Sequence, residues 1–142
     1  MTLKRFPNYT TVNDWEQVLS IPDITFINLQ AKNFEHDLAQ IKEEFGVNVH
    51  NFDEIDHYDD LDEVAALSAA LDMCVSVSTA VSTITAAVGT PTKMLHWRQS
   101  SWNNVLFTQK GPSVDIFERS TGEIWDKAFE NIAKDVNNLG ST

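Results

Sequence analysis

The chain has 142 residues and a formal net charge of −11. That length suits one domain, and it allows burial of about two-thirds of the unfolded surface. The acidic balance argues against a nucleic-acid binder, which needs a basic footprint. It argues equally against electrostatic adhesion to an anionic membrane. It leaves room for one phosphorylated small molecule, which needs only a local positive site.

Residues 1–9 read as a lead-in. Lys4 and Arg5 are followed by no apolar run, so no signal peptide is expected. Thr11 to Leu19 reads as a short helix with Trp15, Val18 and Leu19 on one side, and Pro22 stops it. Ile24 to Leu29 is a strand candidate. Phe34, Leu38, Ile41 and Phe45 then fall at helix spacing, with Gly46 as the C-terminal stop. Val47 to Phe52 is a shorter, weaker strand.

An acidic loop follows. Asp53, Glu54, Asp56, Asp59, Asp60, Asp62 and Glu63 crowd into it. It lacks the glycine and the ligand order of a calcium loop, and it reads as a solvated loop and helix start. Asp60 followed by Glu63 fits a capping box, and Val64, Leu67 and Leu71 continue as a helix face.

The stretch from Leu71 to Pro91 organises the chain. Val75 and Val77 favour a strand. Ser78 and Thr79 suit a helix N-cap. Val81, Ile84 and Val88 fall at i, i+3 and i+7, a helix stripe, and Gly89 with Pro91 ends it. The reading is strand, tight turn, helix, stop. Asp72, the many hydroxyl residues and the switch of period exclude a membrane span over 64–91. The lone Cys74 cannot form an internal disulfide; it reads as a small buried hydrophobe, and a reducing, cytoplasmic setting is expected.

Thr92 to His96 reads as another strand. Residues 97–113 are irregular, with Val105 to Thr108 and Val114 to Glu118 as alternative or successive strands. Ser120 and Glu123 fit a second capping box. Ile124, Trp125, Ala128, Phe129, Ile132 and Val136 then share one side of a last helix, and residues 138–142 form a frayed tail. There is no internal repeat or linker. Strand and helix alternate throughout, so the expected fold is α/β: a single Rossmann-like three-layer α/β/α domain over residues 1–142. Its parallel sheet is expected to have about five or six strands.

A parallel sheet binds ligands at the carboxyl ends of its strands. At the turn after Val77, free N–H groups and the positive end of a helix dipole favour a phosphate. Candidate diphosphate donors are Ser78, Thr79, Ala80, Val81 and Thr83, with the cations Lys32 and Arg98 nearby. A simple helix cap at Ser78 and Thr79 is the competing reading. There is no GxGxxG and no P-loop. His36, His50, His57 and His96 have no metal-ligand spacing, and no metal or cofactor is expected. No nucleophile elbow or Ser-His-Asp set is present. Trp97 and Trp102 suit either base stacking or packing.

The run Asp60 to Val77, continuing through Ser78-Thr79-Ala80-Val81 and Ala87-Val88-Gly89-Thr90-Pro91-Thr92, resembles the C-terminal domain of GT-B glycosyltransferases. The nearest group is the heptosyltransferase-like family and its relatives fused to tetratricopeptide repeats. Phe26-Ile27-Asn28-Leu29-Gln30 resembles that domain's first strand, Trp97-Arg98 and Ser101-Trp102 its tryptophan-rich segment, and Trp125 and Ile132 its closing helix. The resemblance covers about residues 15–137. It implies half of a GT-B fold that binds a nucleotide-diphosphate sugar, the donor. Thr79, Ala80 and Val81 would meet phosphate oxygens, with Ser78 and Thr83 in the same turn. Gln30 and Lys32 would lie beside them, and Arg98 and Trp97 nearby.

Three positions depart from the family. Ser78 stands where it has aspartate, Thr83 where it has histidine, and Ala86 where it has glycine. The acceptor domain and catalytic base of such an enzyme would lie N-terminal to this region. Transfer would therefore need a separate N-terminal subunit, a homodimer or a longer reading frame, and the catalytic residues are unknown. The alternative is a non-catalytic interaction module that keeps the fold and has lost the donor site.

Overall fold

The computed structural model describes residues 10–97, 113–120 and 122–139. A 3₁₀ turn at Val12–Trp15 leads into α1 (Glu16–Leu19). Then come β1 (Phe26–Ile27), α2 (Glu35–Phe45), β2 (Val49–His50), α3 (Leu61–Ala69) and β3 (Cys74–Val77). They are followed by α4 (Ala80–Ala87), β4 (Thr92–Trp97), β5 (Val114–Arg119) and α5 (Asp126–Leu139). Every strand pairing is parallel. This is a Rossmann-like α/β domain, as the alternation of strand and helix requires.

The local signals act where they stand. Gly46 takes the left-handed C-cap of α2 at φ 68°, a conformation that costs glycine little. Asp60 Oδ1 accepts the Glu63 N–H at 3.0 Å and starts α3. Half of the Ser120–Glu123 box is present, with the Ser120 N–H on Glu123 Oε2 at 2.6 Å, while the Glu123 N–H donates to the Ser120 carbonyl at 3.1 Å. It makes a turn, however, and α5 begins at Asp126. Ile124, expected on the inner face, is 71% exposed, while Trp125 is buried.

Among the described residues the strands do not join into the expected single sheet of five or six. The described strands make a β1–β2 pair and a separate β3–β4–β5 sheet, five strands in all. Within the run 24–29, β1 is confined to Phe26–Ile27. One cause is Asn28. Its side chain takes both the N–H and the C=O of Gln30, at 3.0 and 3.2 Å. Those groups are then lost to the ladder, and only the Asn28 N–H continues it, to His50 at 2.8 Å. At the other end of the chain, Val114–Arg119 is the strand that pairs with β4. The competing run 105–108 lies outside the described residues.

The register divides the residues of the main sheet between its two faces. Val75 and Val77 stand beside Lys93 and Leu95, and these beside Asp115 and Phe117. This face holds the apolar core. Leu95, Val18, Trp125, Phe129, Ile132 and Val136 are buried together, with Phe26, Val75, Val77 and Phe117 packed against them. Trp15 meets Phe129 edge-on at 5.1 Å. The stripe on α5 is the strongest helical pattern in the chain, and its three buried residues are Phe129, Ile132 and Val136.

A charge lies within that apolar layer. Lys93 is only 8% exposed. Its Nζ donates to Asp115 Oδ2 on β5 and, at 2.7 Å, to Asp135 Oδ2 on α5. Burial by itself opposes the ammonium charge. The hydrogen bonds and charges of the two carboxylates together outweigh that effect and raise the Lys93 pKa above its ordinary 10.5. The stabilisation is therefore complete below pH 10.5, where Lys93 is charged in both folded and unfolded chains. It is lost as pH rises through the elevated folded value. Thermal melts of wild type and Lys93→Met across pH 7 to 12 should show a constant difference up to about pH 10 and a shrinking one above it. A difference independent of pH throughout would contradict the ion pairing.

Candidate functional site

The other face of the main sheet is unlike the first. Cys74, Thr92, Met94 and His96 are buried on it, with α4 over β3 and β4 and α3 beside α4. The expected apolar stripe of α4 is not its buried face. Ser82 and Thr85 are fully buried, whereas Val81 and Ile84 are half-buried and Val88 is 38% exposed. Hydroxyls explain the inversion. The Thr85 hydroxyl donates to the Ser82 carbonyl at 3.2 Å, and Thr92 Oγ1 lies 3.0 Å from Thr85 Oγ1 and 2.8 Å from the Thr90 carbonyl. Thr90 in turn donates to the Ser68 carbonyl of α3 at 2.7 Å. Small side chains let the helix approach the sheet, and paired hydroxyls remove the cost of burying them.

This layer sets where α4 begins. Ser78 continues the β3 ladder, its N–H on the Leu95 carbonyl at 3.0 Å. Thr79 turns the chain as the N-cap. Its N–H donates to Ser82 Oγ at 3.1 Å, and its carbonyl accepts from Ser82 Oγ at 2.7 Å and from Thr83 Oγ1 at 3.3 Å. Ser76 Oγ lies 3.4 Å from Thr79 Oγ1. So the structure brings Ser78, Thr79, Ala80, Val81 and Thr83 together at the carboxyl end of β3. Of the backbone donors proposed at Thr79, Ala80 and Val81, the first already has a partner. The N–H groups of Ala80 and Val81 have none among the described residues, as expected for an opening helical turn.

The electrostatics of this helix start are distinctive. The first turns of α1, α2, α3 and α5 all carry carboxylates: Glu16; Glu35 and Asp37; Asp62 and Glu63; Asp126. The first turn of α4 carries none. In a chain of net charge −11, this is the described α-helix whose positive end is left uncompensated.

The weaker candidates are more dispersed. Gln30 is exposed at the end of β1. Lys32 Nζ sits 3.4 Å from the centroid of the Tyr58 ring, across the loop after β2. Trp97 closes β4, and its Nε1 is buried without a partner among the described residues. Arg98 lies outside the described residues, as does Trp102. The acidic loop forms an open depression lined by Asp56, Asp59, Asp60, Leu61 and Asp62. Two of its carboxylates, Asp56 and Asp60, accept local backbone N–H groups. The N–H groups of Asp59 and Tyr58, in that order of effect, hold Asp56 below its ordinary value, and Asp60 caps α3. Among the described residues no group of three or more His, Cys, Asp or Glu side chains suits a metal ion. No helix there is long and apolar enough to cross a membrane.

Sequence reasoning passed over Asn28, one amide within the apolar run Ile27-Asn28-Leu29. It is 4% exposed and joins the ends of β1 and β2 through Asn51 Oδ1 at 2.9 Å. The available signal was a polar residue at the carboxyl end of an otherwise apolar strand.

Comparison with known proteins adds one relative. Over 135 residues, 94% of this chain, the sequence is 35% identical to Protein FlbA of Caulobacter vibrioides. The chain spans only 22% of that protein's length. No family model matches the chain, and no solved structure matches it.

Cys74 offers a check on the hydroxyl layer. Burial raises its thiol from an ordinary 9.0 to about 11, partly offset by a hydrogen bond with Thr85. Native protein at pH 8 should react with a thiol-specific disulfide reagent far more slowly than unfolded protein, at a rate set by opening of the domain. Prompt stoichiometric labelling would refute the burial. The Thr90→Ala variant removes the hydroxyl donor to the Ser68 carbonyl, which keeps the Leu71 N–H at 3.3 Å, and should lose about 0.5–1.5 kcal/mol in urea unfolding.

Proposed function

We propose that this domain binds the diphosphate of a nucleotide sugar at the β3–α4 turn, as the donor half of a GT-B-type glycosyltransferase. The observation that carries the reading is the start of α4. It is a helix N-terminus at the carboxyl end of a parallel strand, free of carboxylates in a strongly acidic chain, with the N–H groups of Ala80 and Val81 open. Such a terminus favours an anion through its dipole and its unpaired donors. The sequence resemblance to the donor domain supports the same turn. The chemistry assigned to it is electrostatic stabilisation of the departing diphosphate. An acceptor domain and its base would come from another domain, another subunit or a second copy, in a reducing cytoplasmic setting.

A second reading is an interaction module that keeps the fold without the donor. The partners at the turn favour it. The Ser78 and Thr79 N–H groups are already engaged, Thr83 donates back to its own helix, and Lys32 rests on Tyr58.

Calorimetric titration with UDP-, GDP- and ADP-sugars separates the two. Saturable heat with one of them is the expected result. Ala80→Asp should abolish that binding while leaving the fold intact or slightly stabilised, because a carboxylate in the first turn complements the dipole by about 0.3–1 kcal/mol yet repels a diphosphate. No heat with any of the three, at protein concentrations able to detect millimolar binding, would favour the interaction module.

A further inference from the structure

We propose that the β1–α2–β2 unit, residues 24–52, opens as one piece while the β3–β4–β5 sheet and its helices stay folded. The inference stands apart from the donor-binding reading. The observation that carries it is how little this unit buries. Between Ile24 and Phe52 the one buried residue is Asn28, and it is polar. Helices α1, α3, α4 and α5 each hold at least two buried residues, and α2 holds none. Yet α2 and its cap carry an apolar stripe of Phe34, Leu38, Ile41 and Phe45, and all four are only half-buried.

Buried apolar area is what opposes local opening. The main sheet has Leu95, Phe129, Ile132 and Val136 in one buried cluster, against which this unit lays only the half-buried Ile24 and Phe26. Its other links are α2 beside the 3₁₀ turn at Val12–Trp15 and Lys32 on the Tyr58 ring. Among the described residues no ladder joins β1 and β2 to the main sheet. Their own ladder pairs two residues with two, and so short a parallel pair is weak by itself. Helix α2 has 11 residues, too few to persist alone in water. Strand pair and helix therefore depend on each other, and the Asn28–Asn51 bond at 2.9 Å fastens β1 to β2. Both connections give. The chain enters through Asp23, left-handed at φ 62° without being glycine. It leaves through the exposed carboxylates of Asp53, Glu54, Asp56, Asp59 and Asp60, like charges that a looser loop would spread. Gln30 and Lys32 move with the opening unit and the β3–α4 turn stays with the core, so opening changes the distance between them.

Native-state hydrogen exchange on the free chain, resolved by residue and followed through low urea concentrations, tests this. The amides of Leu38, Gly46 and Asn28, bonded to Phe34, Lys42 and His50, should share one opening free energy and one urea slope. Their protection should be at least about ten-fold lower than that of β4 and α5. Asn51→Ala, at a half-buried position, should speed exchange at all three amides together by about three-fold or more and leave β4 and α5 unchanged. Leu38→Ala, on the helix, should do the same to the Asn28 and Gly46 amides. Protection of the three equal to that of β4 and α5 would mean one cooperative domain and overturn the inference. So would fast exchange in α2 with Asn28 as protected as the core, which is fraying of the helix alone, or variants whose effect stays at the element that carries them.

Discussion

The Lys93 ammonium is the point on which three elements of the fold meet. It belongs to β4, the centre of the main sheet, and its carboxylate partners belong to the edge strand β5 and to α5. An ammonium so nearly enclosed is tolerable only with partners, because its desolvation is costly. Lys93 itself is almost shut off, while Asp115 and Asp135 keep 66% and 42% of their side-chain surface. Water therefore shares in solvating the carboxylates, and the pair contributes direction more than large stability. It sets how α5 lies across the sheet, with Phe129, Ile132 and Val136 over Leu95.

With one face occupied in this way, the other is built on a different principle. Ser82, Thr85, Thr90 and Thr92 are buried and linked by hydroxyl bonds, with Cys74 among them. Each hydroxyl is small, so α4 lies close to the sheet, and each demands a partner, so the helix cannot rotate without loss. The same packing leaves Val88 exposed and places the first turn of α4 at the end of β3. The position of the candidate anion site follows from this hydroxyl layer rather than from an apolar stripe.

Charge distribution gives that position its functional interest. Acidic side chains occupy the starts of the other α-helices, where they complement each dipole. Their absence at α4 leaves a local positive field in an acidic molecule. The carboxyl ends of β1 and β2, bridged by Asn28 and Asn51, form a second ordered edge. A relative that shares 35% identity over nearly the whole chain is several times longer, so similar domains occur within larger proteins.

Local signals in the sequence were sufficient for the element order, for Gly46 and Asp60 as helix boundaries, for the strand–turn–helix at 71–91 and for parallel pairing. Each of these depends on neighbours within a few residues, or on a handedness rule that holds for any strand–helix–strand unit. The face of α4 that is buried was not legible. Val81, Ile84 and Val88 have the right spacing, and the presence of Thr92 on β4 makes Thr85 the better inward residue, with Ser82 tied to the cap at Thr79 beside it. Neither was the shortness of β1 legible, because the Asn28 amide is fixed against the ladder by Asn51, 23 residues on. Period and capping are one-dimensional properties, and the sequence by itself determined them. Which hydroxyl meets which, and which charge is shielded from water, depends on distances between strands and helices far apart in the chain, and only the tertiary structure decided those.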